Sequence, residues 1–463
     1  MSQSVSIAIL AAGLGTRMKS RKAKVLHEAG GMPVVEHVVR AAKAISGGAA
    51  GIVTVVGHQA DRVRTALAGH GIGFAEQTEQ RGTGHALLMC REQLEPHGGL
   101  VMVLYGDTPL LTVATLRRLV DLQGSSGAAA VVITTELADP HGYGRIVRNV
   151  AGDVVAIVEQ KAATPEQEAI REINSGIYCF RADLLWPLLG GLAPNPASGE
   201  IYLTDIVEAL HARGERAVPM LLSDESELLG INTKVELAVA DRIFRERKNR
   251  QLMLDGVTIM KPETVTIDMD VEIGPDTVVE PFSFIQGKTR IGAECRIGAG
   301  AIIRDSTLED GVIVEAYTFV GTSHLETGVS AGPFARLRMA NHVGAGAHIG
   351  NFVELKKTRM GAGAKAGHLA YLGDSTIGAD VNIGAGTITC NYDGRKKHET
   401  HIGKGSFVGS NSTLVAPIKI GAESYIAAGS TITHEVPVDS LALGRARQEN
   451  KAGWPSRRRA AAK

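Results

Sequence analysis

The sequence predicts an α/β domain built on a mostly parallel sheet, then a helical arm, then a parallel β-helix. Three observations carry this reading. Short β-branched strands alternate with helix-like segments through the first half of the chain, a capped and highly charged helix follows, and beyond it aliphatic side chains recur every six residues. The expected boundaries are 1–235 for the α/β domain, 236–256 for the helical linker and 257–463 for the β-helix with a basic tail.

In the first domain, Val5 to Leu10 is the opening strand, and Val53 to Val56 and Leu100 to Leu104 supply two more. In open α/β sheets a ligand sits beyond the carboxyl ends of such strands. After strand one comes Leu10-Ala11-Ala12-Gly13-Leu14-Gly15-Thr16-Arg17-Met18. Small residues there let backbone N–H groups approach phosphate oxygens, and the Arg17 guanidinium and Lys24 ammonium can neutralise them. The loop lacks the third Gly and the downstream acid of a dinucleotide fingerprint. Tyr105-Gly106-Asp107 ends the third strand, where an Asp is placed either to hold a divalent cation or to make a turn.

Thr233-Lys234-Val235-Glu236 is a capping box and marks a helix start. From Val235 to Arg250 the segment carries Leu237, Ile243 and Phe244 among many charges, so it reads as an exposed spacer, or else as a helix packed on one domain.

In the second half Ile267, Ile273, Val279, Ile285, Ile291, Ile297 and Ile303 lie six apart without a miss. Ile402, Val408, Leu414, Ile420, Ile426 and Ile432 form a second unbroken series, with Val343, Ile349, Leu355 and Met360, Ala366, Leu372 between them. A helix repeats near 3.6 and a sandwich varies its loops, whereas a β-helix puts one inward side chain at the same place on each short strand. Polar residues break the pattern between Arg336 and Tyr392, and Thr389-Cys390-Asn391-Tyr392-Asp393-Gly394 interrupts the hexad. Loops inserted into a solenoid commonly build its binding face.

The 49 basic and 49 acidic residues cancel, which speaks against a partner held by global charge, nucleic acid or membrane. Arg457, Arg458, Arg459 and Lys463 make a local basic end that reads as a solvated tail. Cys90, Cys179, Cys295 and Cys390 show no paired metal-ligand spacing and read as reduced thiols. The apolar stretch Val5 to Ala12 precedes the basic cluster, the reverse of a signal peptide, so a cytoplasmic protein is expected.

The phosphate loop with Lys24-Val25-Leu26 resembles the signature of the sugar-nucleotide pyrophosphorylases. Joined to a hexapeptide β-helix, it is similar over nearly the whole chain to the bifunctional uridylyl- and acetyltransferases of bacterial cell-wall precursor synthesis. The resemblance implies a Rossmann-like nucleotidyltransferase domain, a left-handed β-helix and a homotrimer whose acetyl site is shared between subunits. It implies Mg²⁺ on Asp107 and Asn232, with UTP and acetyl-CoA as co-substrates and glucosamine-1-phosphate and N-acetylglucosamine-1-phosphate as small-molecule substrates. Leu10, Ala11, Ala12, Gly13, Gln77, Gly82, Thr83, Tyr105 and Gly106 match its nucleotide positions, and Gly144, Glu159 and Asn174 its sugar positions. Arg17 and Lys24 would neutralise the phosphates. One departure lies in Ser20-Arg21-Lys22-Ala23-Lys24, where the family more often has Pro immediately before the lysine.

On the β-helix the resemblance implies His368 as general base, oriented by Glu354. Arg338 and Lys356 would grip the sugar phosphate, and Tyr371, Asn382 and Asn391 the sugar. Ala385, Asn391, Tyr392, Ser410, Ala428 and Arg445 match acetyl-CoA contacts, with Ser410 a donor to the thioester oxygen and Trp454 closing over the donor from the tail. Arg338-Met339-Ala340 departs from a pattern that usually has Pro and Gly. Two other readings stay open: a single-function nucleotidyltransferase with a regulatory or oligomerising β-helix, and a catalytically dead scaffold of the kind found among translation-factor subunits.

Overall fold

Strands buried on both faces read as unbroken apolar runs, and Val5–Leu10, Ile52–Val56 and Leu100–Tyr105 are the centre of the first sheet. The structure is a computed structural model that describes residues 4–196 and 199–462; Lys463, named above in the basic tail, lies outside them. Packing divides the chain into two units, Met1–Phe244 and Arg245–Lys463. In the first unit the sheet runs Ala217–Leu221, Ala130–Glu136, Glu172–Arg181, Leu100–Tyr105, Val5–Leu10, Ile52–Val56, Gly73–Glu76. Its pairings are parallel except around Glu172–Arg181, which lies antiparallel to both of its neighbours along this path. A hairpin of Arg145–Arg148 and Val154–Val158 joins that strand at Ile173. Gly106 N–H donates to Leu10 O at 2.9 Å, so the two central strands end side by side.

The capping box is present. Thr233 N–H donates to Glu236 Oε2 at 2.6 Å, and Glu236 N–H reaches Thr233 Oγ1 at 3.4 Å, opening the helix Lys234–Leu254. The helix is less exposed than a spacer. Ala240 and Phe244 are buried in the first unit, where Phe244 stacks on His37 at 3.9 Å. Within the second unit Leu252 joins the core, Asn249 donates to Pro262 O at 2.9 Å, and Arg245 pairs with Asp268 at 3.0 Å. The scattered apolar residues of this segment therefore serve two different packing surfaces, which is why no single apolar stripe shows in its sequence.

The second unit is a β-helix of three parallel sheets, with eleven, ten and nine short strands. Each six-residue position belongs to one face. Ile267, Ile285 and Ile303 stack on one, Ile273, Ile291 and Leu308 on the next, and Val279, Ile297 and Val314 on the third. The hexads lapse in the sequence because some coils are one residue short. Steps of five occur from Ile303 to Leu308, Val320 to Leu325, Leu355 to Met360 and Leu372 to Ile377, and all four lie at the same corner. The long step from Thr389 to Ile402 falls at that corner too. Its inner side carries a buried polar ladder. Ser323 N–H donates to Ser306 Oγ at 3.1 Å, Asn341 Nδ2 to Ser323 Oγ at 3.1 Å, and Thr358 N–H to Asn341 Oδ1 at 3.1 Å. Two of these bonds satisfy the backbone N–H groups of Ser323 and Thr358, which their shortened turns remove from water.

Ile297 is fully buried between Val279 and Val314. Ile297→Ala is expected to destabilise the β-helix by about 2–5 kcal/mol, since a stacked coil closes poorly on a cavity. The midpoint of chemical unfolding measures this, and an unchanged midpoint contradicts the inward register.

Candidate active sites

In the first unit the carboxyl ends of the central strands open on a cavity of about 320 Å³. Leu10, Ala11, Ala12, Gly13, Lys24, Gln77, Gly82, Thr83, Tyr105 and Asp107 line it, together with Gln80, Glu200 and Tyr202, which the sequence reading missed. Lys24 Nζ contacts Asp107 Oδ2 and donates to Asn232 Oδ1 at 3.1 Å. Arg17 Nη2 donates to the same Asn232 oxygen at 2.9 Å. Four residues from distant parts of the chain thus converge, held by Ile231 N–H on Asp107 O at 2.8 Å and by Asn232 N–H on Glu236 Oε2 at 2.7 Å. The packing against Gly15 is tight: a Cβ there, at φ 64, would lie 2.6 Å from Lys24 Cβ.

Gln77 is buried, and its Nε2 donates to Gly82 O at 3.1 Å. Gln80 Nε2 donates to Ala12 O at 2.8 Å and ties this loop to the phosphate loop. Gly144, Glu159 and Asn174 come together as well. Asn174 N–H donates to Gly144 O at 2.9 Å, and a Cβ on Gly144 would stand 3.7 Å from Glu159 Oε1. Burial, then the Asp205 carboxylate, pushes the Glu159 carboxyl up, with the Thr204 hydroxyl opposing. Burial likewise raises the Tyr105 phenol, helped by Asp107. The register irregularity between Asn174 and Tyr178 lets the Asn174 oxygen accept from Tyr178 OH at 3.0 Å.

On the β-helix the candidate residues fall along two corners of one sheet. At the first corner, His368 lies across from Asn351 one coil earlier, and Ala385, Ser410 and Ala428 follow on later coils. Asn411 N–H donates to Ala385 O at 2.7 Å and Gly429 N–H to Ser410 O at 2.8 Å. Gly350 is required here, since a Cβ would meet Gly367 O at 1.9 Å.

The imidazole has a different partner from the expected one. His368 Nδ1 is 2.7 Å from Asn351 Oδ1, whereas Glu354 accepts from Arg338 Nε at 2.6 Å and pairs with Arg336 at 3.7 Å. The Glu354 carboxylate thus faces two guanidiniums along its own strand face, and the group against the His368 ring is the Asn351 amide. An amide oxygen on Nδ1 fixes the proton there and leaves Nε2 its lone pair.

At the second corner Lys356 is buried and donates to Asp374 Oδ2 at 3.0 Å, and buried Asn391 donates to the same oxygen. Asn391 Nδ2 also reaches Tyr371 OH at 3.5 Å. Asp374 escaped the sequence reading, although it stands one coil from Lys356 along the same corner. The inserted loop is closed by His398 N–H on Asn391 O at 2.9 Å. Inside it Asp393 accepts from His398 Nε2, Lys396 N–H and Arg395 N–H, each at 2.7 Å, and these donors hold its carboxyl well below the usual range. Tyr392 stays half-exposed under Lys397 Nζ, 4.4 Å from the ring centroid.

Other expected residues are less gathered. Asn382 pairs through its backbone with Lys365 and Phe407, and Arg445 is exposed just past Gly444. Trp454 opens the helix Trp454–Ala461 half-exposed, with Arg458 over its ring at 5.2 Å. Met339 and Ala340 take φ of 65° and 61°, a left-handed turn without the expected glycine. All four cysteines are free, and burial pushes the Cys90 and Cys179 thiols up to about 12.

An α/β cavity lined by Lys24 and Asp107 at the strand ends of one unit and a polar cluster on a hexapeptide β-helix define a two-site transferase. The MobA-like NTP transferase domain model matches residues 7–175, and the bacterial transferase hexapeptide model matches 270–305 and 399–434. The chain is 59% identical over 463 residues to the bifunctional protein GlmU of Solibacter usitatus, covering 100% of this chain and 99% of that one. It is 51% identical to GlmU of Koribacter versatilis, covering 98% and 97%, and 46% identical to GlmU of Streptococcus thermophilus strain LMD-9, covering 96% of each. The chain belongs to the family of bifunctional GlmU proteins. It is an enzyme with two activities, a nucleotidyltransferase that moves a uridylyl group and an acetyltransferase.

Proposed function

We propose that the chain acetylates glucosamine-1-phosphate with acetyl-CoA on the β-helix, then transfers UMP from UTP to the N-acetylglucosamine-1-phosphate, giving UDP-N-acetylglucosamine and pyrophosphate. The observation that carries the two-site reading is the buried Lys356, held with Asp374 and Asn391 beside the one long insertion. Burying an ammonium has a desolvation cost that a regulatory or dead scaffold gains nothing from. Glucosamine-1-phosphate gives that cation a dianion to grip.

In acetyl transfer, His368 Nε2 takes a proton from the sugar ammonium. The freed amine attacks the thioester carbonyl carbon, Ser410 donates to the oxygen that becomes anionic, and the C–S bond breaks; the CoA thiolate takes the proton held by His368, and the remaining extra proton on the nitrogen passes to solvent as the amide forms. Arg338 and Lys356 hold the sugar phosphate, Tyr371, Asn382 and Asn391 its hydroxyls, and Ala385, Tyr392, Ala428 and Arg445 the acetyl donor.

In uridylyl transfer, a phosphate oxygen of N-acetylglucosamine-1-phosphate attacks the α-phosphorus of UTP and pyrophosphate leaves. Arg17 and Lys24 neutralise charge, Gln77 reads the base, and Gly144, Glu159 and Asn174 seat the sugar. Asp107 and Asn232 suit Mg²⁺, because a carboxylate and an amide oxygen already face one shared cation, the Lys24 ammonium. Bound there, Mg²⁺ would supply further positive charge against the nucleotide phosphates.

Two further readings accompany this. Phe282, Tyr317, Phe334, Phe352 and Leu369 form an exposed apolar stripe on one corner, each at positive φ, with Phe334 stacked between Tyr317 and Phe352 at 5.4 and 5.5 Å. Ending beside His368, it supports a homotrimer with a shared acetyl site. Among the described residues no helix is long and apolar enough to cross a membrane, and we place the enzyme in the cytoplasm, where its phosphorylated substrates are.

The test supplies glucosamine-1-phosphate, acetyl-CoA, UTP and Mg²⁺ and follows CoA and pyrophosphate separately. Both are expected. Either one without the other contradicts the two-reaction reading.

A further inference from the structure

Gln59 is a non-glycine residue at φ 56° and ψ 39°, preceding the helix Ala60–Leu67. A left-handed backbone costs an ordinary residue about 1–2 kcal/mol, and glycine almost nothing. The side chain does not repay this by capping its own helix, which has no side-chain cap bond. It reaches instead to the loop before Lys24. Gln59 Nε2 donates to Arg21 O at 2.8 Å, and Gln59 Oε1 accepts from Ala23 N–H at 3.3 Å. Arg62 Nη1 donates to the same Oε1 at 3.1 Å and steadies the amide.

These two contacts flank Lys22 and end where the 3₁₀ turn Lys24–Leu26 begins. Ala23 there has φ −54° and ψ 140°. A proline ring would fix that φ; alanine leaves it free, and the bond from its N–H to Gln59 takes the place of the ring. Downstream, Lys24 Nζ must meet Asp107 and Asn232 Oδ1 together. A long flexible stem does so only if its backbone is held.

We propose that Gln59 is a positioning residue for uridylyl transfer, its amide clamping Arg21 O and Ala23 N–H so that Lys24 is delivered to the phosphates. This rests on the reading of Lys24 as the phosphate-neutralising cation.

The experiment uses the full-length protein and two variants of this clamp, with Lys24→Met as reference. Gln59→Gly removes the amide and suits the left-handed backbone, so the thermal midpoint is expected to hold. Its kcat for pyrophosphate release from UTP and N-acetylglucosamine-1-phosphate is expected to fall about tenfold, the scale of a lost charge placement. KM for UTP should change less, and CoA release from acetyl-CoA and glucosamine-1-phosphate should stay as in the parent. Adding Ala23→Pro to Gln59→Gly restores the fixed φ without the amide and should recover most of kcat. A kcat within twofold of the parent in Gln59→Gly overturns the proposal, and so does a loss that Ala23→Pro leaves uncorrected. If Lys24→Met itself releases pyrophosphate at the parental rate, the reading of Lys24 fails and the role of Gln59 falls with it.

Discussion

His368→Ala is expected to abolish CoA release from acetyl-CoA and glucosamine-1-phosphate while pyrophosphate release from UTP and N-acetylglucosamine-1-phosphate stays unchanged. The size follows from the chemistry. An ammonium is no nucleophile, and removing its general base costs about 10²–10⁴ in rate. The imidazole is exposed and hydrogen-bonded to the Asn351 amide, so its loss should leave the β-helix core intact. Asn351→Ala should give a smaller acetyl-transfer defect, because the ring remains but its tautomer is no longer fixed. Loss of both reactions in His368→Ala with the thermal midpoint preserved would contradict separate sites.

The second large effect is expected at Lys24. Lys24→Met keeps the length of the stem and removes the charge that faces Asp107 and Asn232. Uridylyl transfer should fall about 10²–10³-fold, as when one preorganised donor to a developing charge is deleted. Acetyl transfer, measured on the same preparation, is the internal control. Lys24 and Asp107 are both largely buried, so the variant also leaves a carboxylate without its cation. A fall in thermal midpoint with no fall in pyrophosphate release would make Lys24 a stabilising residue and not a catalytic one.

Much of this was legible in the chain itself. The six-residue register from Ile267 to Ile303 gave the β-helix because each inward side chain must pack on one a coil away, and Thr233 with Glu236 gave the helix start because a capping box leaves its mark in sequence. The phosphate loop and Asp107 were visible at the ends of apolar strands. What stayed hidden depends on distances across the coil. Asn351 and His368 are neighbours only once a seventeen-residue turn of the solenoid is closed, and Asp374 meets Lys356 and Asn391 only through the same stacking. Glu354 was expected beside His368 from the family resemblance, but its carboxylate accepts from the Arg338 guanidinium. Gln80, Glu200 and Tyr202 carry no motif of their own, and only the folded sheet brings them to the cavity.

The one irregular corner of the β-helix also tells where this chain can change its length. Between Ile267 and Ile432 every missing residue, and the whole insertion around Asn391, falls after the same face, while the other two corners hold the spacing of six throughout. An added or deleted residue at either strict corner would turn the following inward aliphatic outward and carry the error into every later coil. At the permissive corner the polar ladder of Ser306, Ser323, Asn341 and Thr358 supplies hydrogen bonds that do not depend on loop length. Grafted peptides or affinity tags belong there, on coils before Arg336, and the same latitude lets the chain carry the insertion around Asn391 without shifting the inward residues of the coils after it.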